Sequence, residues 1–247
     1  MKIKAKIKNF FYGFIIVNIL WYIIAKLVML PVIQNPLKVY ANIITNFYSA
    51  MFIHIAYSLF RVFSGVCIAL IIGMSIGLIM ARYKAIEKVL SPIVYFTYPV
   101  PKIALLPVVM LLLGLGELSK ITMIFLIVVF QIIISTRDAV KSIPNETYNC
   151  LISLGASRFQ IFNNIIMPNI ASEILTTIRI SLGTAISVLF FTETYGTEYG
   201  MGYYIMDAWM RVNYLDMYSG IVILSILGML LFAAVDTAES LICKWKH

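Results

Sequence analysis

The side chains with chemistry to offer are charged residues stranded in apolar runs. Lys102 stands in PVPKIALLP, Arg179 lies in the run from Ile174 to Phe191, and Glu193 follows that run. An unpaired charge at mid-bilayer costs about 2.5–3.5 kcal/mol on insertion scales, so each requires water, a partner or a route to the interface. Lys102 either faces a solute path and attracts an anion, or snorkels to the surface. Arg179 either pairs with Glu173 or faces a path. Glu193 is either a solvated loop carboxylate or part of an external gate. Pro99, Pro101 and Pro107 free backbone carbonyls that either line a cavity or only kink a helix for packing.

The sequence offers no Ser/His/Asp set, no paired catalytic carboxylates and no phosphate-binding P-loop, so any energy must come from a partner. His54 reads as an interfacial residue rather than a metal ligand. Cys67, Cys150 and Cys243 lack metal-ligand spacing and read as small apolar fillers or free thiols. Neither a metal nor a cofactor is expected in this chain. The net charge of +8 does not point to nucleic acid, because Lys2, Lys4, Lys6 and Lys8 directly precede the first apolar run. That is the positive-inside pattern of a membrane protein.

Composition fixes the medium. The chain is 62% hydrophobic and 12% charged, against about 45–50% and about 25% in soluble domains. It reads as an all-α integral membrane protein, 1–247 forming a single transmembrane domain. At about 20 apolar residues per crossing, six spans are expected. They fall near Phe10–Ile33, Val62–Ala81, Ile93–Leu115, Ile121–Ser135, Ile174–Phe191 and Tyr218–Val235. The first resembles a signal peptide but runs on without a small-x-small cleavage site, so it is expected to remain. Arg82, Lys84 and Lys88, then Arg137, Lys141 and Arg158, then Lys244 and Lys246 all fall on one side, placing both termini inside. Gly65, Gly73 and Gly77 share one side of the second span and predict close helix packing. The stretch Leu37–Tyr57 is expected outside, along the membrane surface. No internal repeat is visible.

Between spans four and five lies a polar, part-apolar segment, PNETYNCLISLGASRFQIFNNIIMP, from Pro144 to Pro168. Ser142 is a candidate cap ahead of Pro144. Leu151 and Leu154 fall three apart, and Gly155 allows a bend. Ser157 can cap a second helix in which Phe159, Phe162 and Ile166 share a face, and Pro168 then sets the angle into span five. Two short helices joined at Gly155 suit a groove on a partner protein. The alternative is an interfacial pair resting on lipid.

Gly155, nine residues, then Ile165-Ile166-Met167-Pro168 resembles the cytoplasmic EAA loop of binding-protein-dependent ABC importer permeases. Asn149, Cys150 and Leu151 stand at the positions that name the loop, and Met167 replaces the usual leucine. Tyr98-Pro99-Val100-Pro101-Lys102-Ile103-Ala104-Leu105-Leu106-Pro107, followed by Gly114 to Lys120 (GLGELSK), resembles a signature of the nitrate/sulfonate/taurine branch. Glu193 followed by Gly200-Met201-Gly202 is similar to that branch's E…GxG segment. The resemblance covers about 58–240.

The resemblance implies an importer permease in the cytoplasmic membrane of a cell, with a coupling loop at 142–169. Leu154, Gly155, Ala156, Ser157, Arg158, Phe159 and Pro168 would engage a cytoplasmic ABC ATPase dimer, which would hold the ATP and Mg. A solute-binding protein would dock outside, and a second permease copy would complete a homodimer. Pro101, Lys102, Pro107, Arg179 and Glu193 are the path candidates for an anion such as nitrate, a sulfonate or taurine, or for a pyrimidine vitamin precursor. The rival expectations are a carrier driven by an ion gradient and a membrane scaffold or sensor without transport.

Overall fold

The structure is a computed structural model that describes residues 2–28 and 30–244, with side chains from Tyr12 onward. The side chains of Lys2, Lys4, Lys6 and Lys8, and residue Lys246, which carry part of the expected charge asymmetry, lie outside the described residues. Among the described residues all regular structure is helical: α1 (Lys2–Val28), α2 (Pro36–Asn46), α3 (Phe52–Arg82), α4 (Lys84–Thr97), α5 (Leu106–Leu113), α6 (Glu117–Lys141), α7 (Asn145–Ser153), α8 (Arg158–Ile161), α9 (Met167–Glu193), α10 (Met201–Met210) and α11 (Tyr214–Ile242).

The bundle is built on α3, α6 and α9. A Cβ added at Gly65 would stand 2.7 Å from the Ile124 side chain, at Gly73 2.8 Å from Ile132 Cγ2, and at Gly77 2.6 Å from Thr136 Cβ. The glycine stripe thus lets α3 press directly onto α6, as expected from sequence. Helices in lipid gain no hydrophobic drive from meeting one another, so close backbone approach supplies the attraction. Half of the most apolar stretch of α6 is buried within the bundle, against 17% for α11, which makes α6 central and α11 peripheral. Met123, Ile124, Val128 and Ile132 of α6 pack with Ile170, Leu182, Ala185 and Leu189 of α9.

Four helical stretches are long and apolar enough to cross a membrane: Pro36–Arg82, Glu117–Lys141, Arg158–Glu193 and Tyr214–Ile242. A fifth crossing counts if α4 and the segment Lys102–Leu113, bent by 87°, are taken as one span, while Tyr12–Val28 is a shorter apolar helix. The third expected span is therefore not one continuous helix. Pro99 and Pro101 donate no backbone N–H, so the helical hydrogen-bond ladder cannot run on through them. The chain leaves α4, passes Pro101 at ψ 92° and re-enters through a 3-10 turn at Lys102–Leu105.

Leu37–Tyr57, expected outside along the membrane surface, is helical throughout and continuous with α3. Asn35 caps α2 by accepting the Leu37 N–H at 2.9 Å, with Pro36 in the first turn. The helix then passes through a π-turn at Phe47–Met51 straight into α3. No proline or glycine interrupts 37–64, so nothing stops the helix where a surface segment would have to end. α2 docks on α11, where Asn42 Nδ2 donates to Asp216 Oδ1 at 2.8 Å and Ser219 Oγ at 3.0 Å.

Candidate functional site

The segment after α6 forms a bent elbow. Ser142 does not cap α7 as expected; it closes the C-terminus of α6, and Pro144 itself stands ahead of Asn145 at the start of α7. Proline has no N–H to leave unpaired and its φ already suits that place. α7 ends in a Schellman turn: Ala156 N donates to Leu151 O at 3.0 Å and Gly155 N to Ile152 O at 2.9 Å. Gly155 has φ +77°, the left-handed conformation that glycine adopts without a Cβ penalty.

Ser157 then forms a capping box with Gln160. Ser157 N donates to Gln160 Oε1 at 2.7 Å, and Gln160 N donates to Ser157 Oγ at 3.3 Å. The turn is thus capped on both sides, and its base is closed. Asn169 Nδ2 donates to Ser142 Oγ at 3.3 Å and also to the Ala139 carbonyl, across the whole segment. Leu154 and Phe159 remain 81% and 74% exposed at the tip. Burial pushes the Tyr148 phenol above its ordinary value, even though Arg82 pulls it down.

Pro168, expected to set the angle into span five, makes no break there: α8, a π-turn at Phe162–Ile166 and α9 run on as one 36-residue stretch, with Pro168 in the first turn of α9. Along this stretch Phe159 is exposed at the tip, while Phe162 and Ile166 are half-buried.

Of the path candidates, Pro101 and Lys102 line one cleft at the break between α4 and α5. Lys102 Nζ donates to the Thr97 carbonyl at 2.7 Å and to the Tyr98 carbonyl, and stands 5.0 Å from the Phe130 ring centre. Pro107 lies elsewhere, in the first turn of α5. Arg179 does not pair with Glu173. It pairs with α11, its Nε 2.6 Å from Asp236 Oδ1 and its Nη2 on Glu239. Glu173 and Arg179 stand about 1.7 turns apart on α9, on different faces of the helix, whereas α11 lies alongside with Asp236 and Glu239 facing the arginine.

Glu193 is not a solvated loop carboxylate. Its side chain and that of Arg61 are both fully buried, and Arg61 Nη1 donates to Glu193 Oε1 at 2.7 Å. Arg61 also grips Glu117 in bidentate fashion at 2.7 and 2.6 Å, and donates to the Tyr199 carbonyl at 2.7 Å and Thr197 Oγ1 at 3.3 Å. Five contacts thus occupy the five N–H groups of the guanidinium. Ser58 Oγ lies 2.8 Å from Glu193 Oε1 and accepts from Met201 N at 2.9 Å, while Gly202 N donates to Glu193 Oε2 at 2.8 Å. His54 Nδ1 accepts the Gly200 N–H at 3.1 Å. Lys120, also buried, donates to the Leu115 carbonyl at 2.5 Å.

The clasp explains the glycines of the E…GxG segment. Gly200 has φ +138°, and a Cβ there would fall 2.6 Å from Arg61 Nη1; one at Gly202 would fall 2.5 Å from the Phe190 carbonyl oxygen. Arg61 lies just ahead of the expected second span, Val62–Ala81, and sequence reasoning missed its partners. The available signal was Ser58, Arg61 and Gly65 at helical spacing inside an otherwise apolar run.

A family profile described as "Binding-protein-dependent transport system inner membrane component" matches residues 69–242. The chain is 26% identical over 234 residues to the formylaminopyrimidine transport permease protein ThiX of Halalkalibacterium halodurans, covering 94% of each. It is 31% identical over 192 residues to the taurine transport system permease protein TauC of Escherichia coli, covering 78% of this chain and 70% of the relative. The fold is similar to that of a chain in the inward-facing MetNI methionine ABC transporter, with a TM-score of 0.64 at 19% identity, covering 81% of this chain and 98% of that one. A multi-pass helical bundle whose sequence fits the profile over most of its length belongs to the inner-membrane components of binding-protein-dependent transport systems, the ABC-importer permeases that form a path for a small solute.

Proposed function

We propose that this permease is driven through its elbow by a cytoplasmic ABC ATPase dimer, which binds the ATP and Mg while the permease itself is not an enzyme. The observation that carries the reading is the exposed apolar pair Leu154 and Phe159 on a turn capped on both sides and closed at its base. Apolar side chains held outward on a stiff turn suit a cleft in a partner protein better than water. Gly155, Ala156, Ser157 and Arg158 form the contact surface, and Pro168 starts the helix that carries the motion inward. Only contacts that differ between two states of the ATPase can drive the switch, and a rigid elbow transmits such a difference.

In this reading the chain is one permease domain, 1–247, with its family core at about 58–240 and its coupling loop at 142–169. It makes six crossings with both termini inside, pairs with a second copy of itself and receives solute from a binding protein outside. The solute is a small anion such as nitrate, a sulfonate or taurine, or a pyrimidine vitamin precursor; the names of the relatives support these classes. Pro107, Arg179 and Glu193 act as supports of the path.

The test is crosslinking from Ala156→Cys and Arg158→Cys in the intact importer. Crosslinks to the ATPase are expected, with yields that change when ATP is added. Uptake that persists after the ATPase is removed would overturn the reading in favour of an ion-driven carrier.

A further inference from the structure

The cleft at the α4–α5 break has the makings of a solute site. It encloses about 360 Å³ between the Tyr98–Ile103 bend, α6 and α9. Three polar side chains meet there, Lys102 from the bend, Gln131 from α6 and Thr184 from α9, against walls that include Ile127 and Val188. Gln131 stands near the middle of α6 and Thr184 well inside α9, so the cleft opens at depth in the bundle rather than at its ends.

Each polar group has donor capacity to spare. An ammonium has three N–H groups, and the Thr97 and Tyr98 carbonyls take two from Lys102. Gln131 Oε1 accepts from Ser181 Oγ, which orients the amide and leaves its NH₂ without a partner among the described residues. Ser181 spends its one hydroxyl proton on Gln131, and the hydroxyls of Thr176 and Thr177 on the same helix each donate to a carbonyl one turn back; no such bond is made by Thr184 among the described residues. No carboxylate lines the cleft. One fixed positive charge, two neutral donors and apolar walls complement a small monoanion with an oxyanion head and a short apolar body.

We propose that Lys102, Gln131 and Thr184 form an intramembrane subsite for such an oxyanion-bearing solute. The inference rests on the importer reading, and it adds Gln131 and Thr184 as groups that select the cargo. The polar break in the third span then has a purpose beyond packing: it brings a cation into the bundle and lines the space around it with donors.

The test needs no knowledge of the natural solute. In the whole importer, with Cys67, Cys150 and Cys243 replaced, Thr184→Cys is modified with either a sulfonate-bearing or a trimethylammonium-bearing methanethiosulfonate reagent. With each rate divided by that reagent's rate with a free thiol in solution, the sulfonate reagent is expected to react about ten-fold faster than the cationic one, since a charged cleft concentrates counter-ions. Lys102→Met is expected to abolish that preference and Lys102→Arg to keep it, which separates the charge from any role in capping the bend. Gln131→Leu is expected to weaken the protection that added ethanesulfonate or nitrate gives against modification. An unreactive Thr184→Cys, a faster cationic reagent, or a preference unmoved by Lys102→Met would overturn the proposal. None of these outcomes depends on crosslinking at the elbow, so the two readings fail separately.

Discussion

Arg61 and Glu193 are 132 positions apart in sequence, yet their side chains meet at 2.7 Å with neither exposed to solvent. The contact fastens α3 to the end of α9. Glu117, bound to the same guanidinium, brings in the first turn of α6. The three central helices are therefore pinned at one end by a single arginine, and α3 is packed along α6 by the Gly65–Gly73–Gly77 stripe.

Removing one partner of a buried pair strands the other, at a cost of about 3–5 kcal/mol. Arg61→Ala is expected to lower the thermal midpoint of the detergent-purified protein sharply, whereas Arg179→Ala is expected to cost less, because its partners keep some solvent contact. Equal losses for the two variants would mean that the clasp is not the main fastening.

Gly200 and Gly155 both sit at positive φ but in different surroundings. A Cβ at Gly200 meets Arg61, while one at Gly155 meets open space. Gly155→Ala should then cost only its left-handed strain, about 1–2 kcal/mol, confined to the elbow. Gly200→Ala should destabilise the whole bundle. Thermal melts of both variants, run beside hydrogen exchange of 150–160, distinguish local strain from global loss.

At the elbow, Leu154→Ser and Phe159→Ser remove exposed apolar surface without touching the core. Folding stability is expected to stay within about 0.5 kcal/mol, while co-purification of the ATPase and ATP-driven uptake fall together. Stable variants with normal uptake would remove the elbow from the mechanism.

Between α3 and α6, Gly73→Ala drives a methyl into Ile132. Overpacking of this kind costs about 1–3 kcal/mol. Adding Ile132→Ala should return part of the loss, since the new methyl then has room. A double-mutant cycle on melting midpoints measures that coupling, and simple additivity of the two changes would argue against direct contact.

Much of the architecture was legible because it is written locally. Apolar runs, the glycine stripe, Gly155 with its neighbouring Ser157, and the polar segment after α6 each declare themselves through short-range spacing, and the structure agrees with them. Breaks and joins were harder. Pro99 and Pro101 were visible, but whether they kink a span or split it by 87° depends on what packs in the gap. Conversely, Leu37–Tyr57 and Val62–Ala81 read as separate segments, yet 36–82 is one helical stretch with a π-turn at Phe47–Met51.

Sequence alone determined the membrane class, the helical bundle, the place of the elbow and the residues that turn it, because hydropathy, periodicity and capping act over a few residues. The tertiary structure alone decided which charges meet: Arg61 with Glu117 and Glu193, Arg179 with Asp236 and Glu239, and Lys102 with a cleft shared by Gln131 and Thr184. Burial of charge in lipid forces every such group to find a partner, but the partner is chosen by how helices distant in sequence lie beside one another.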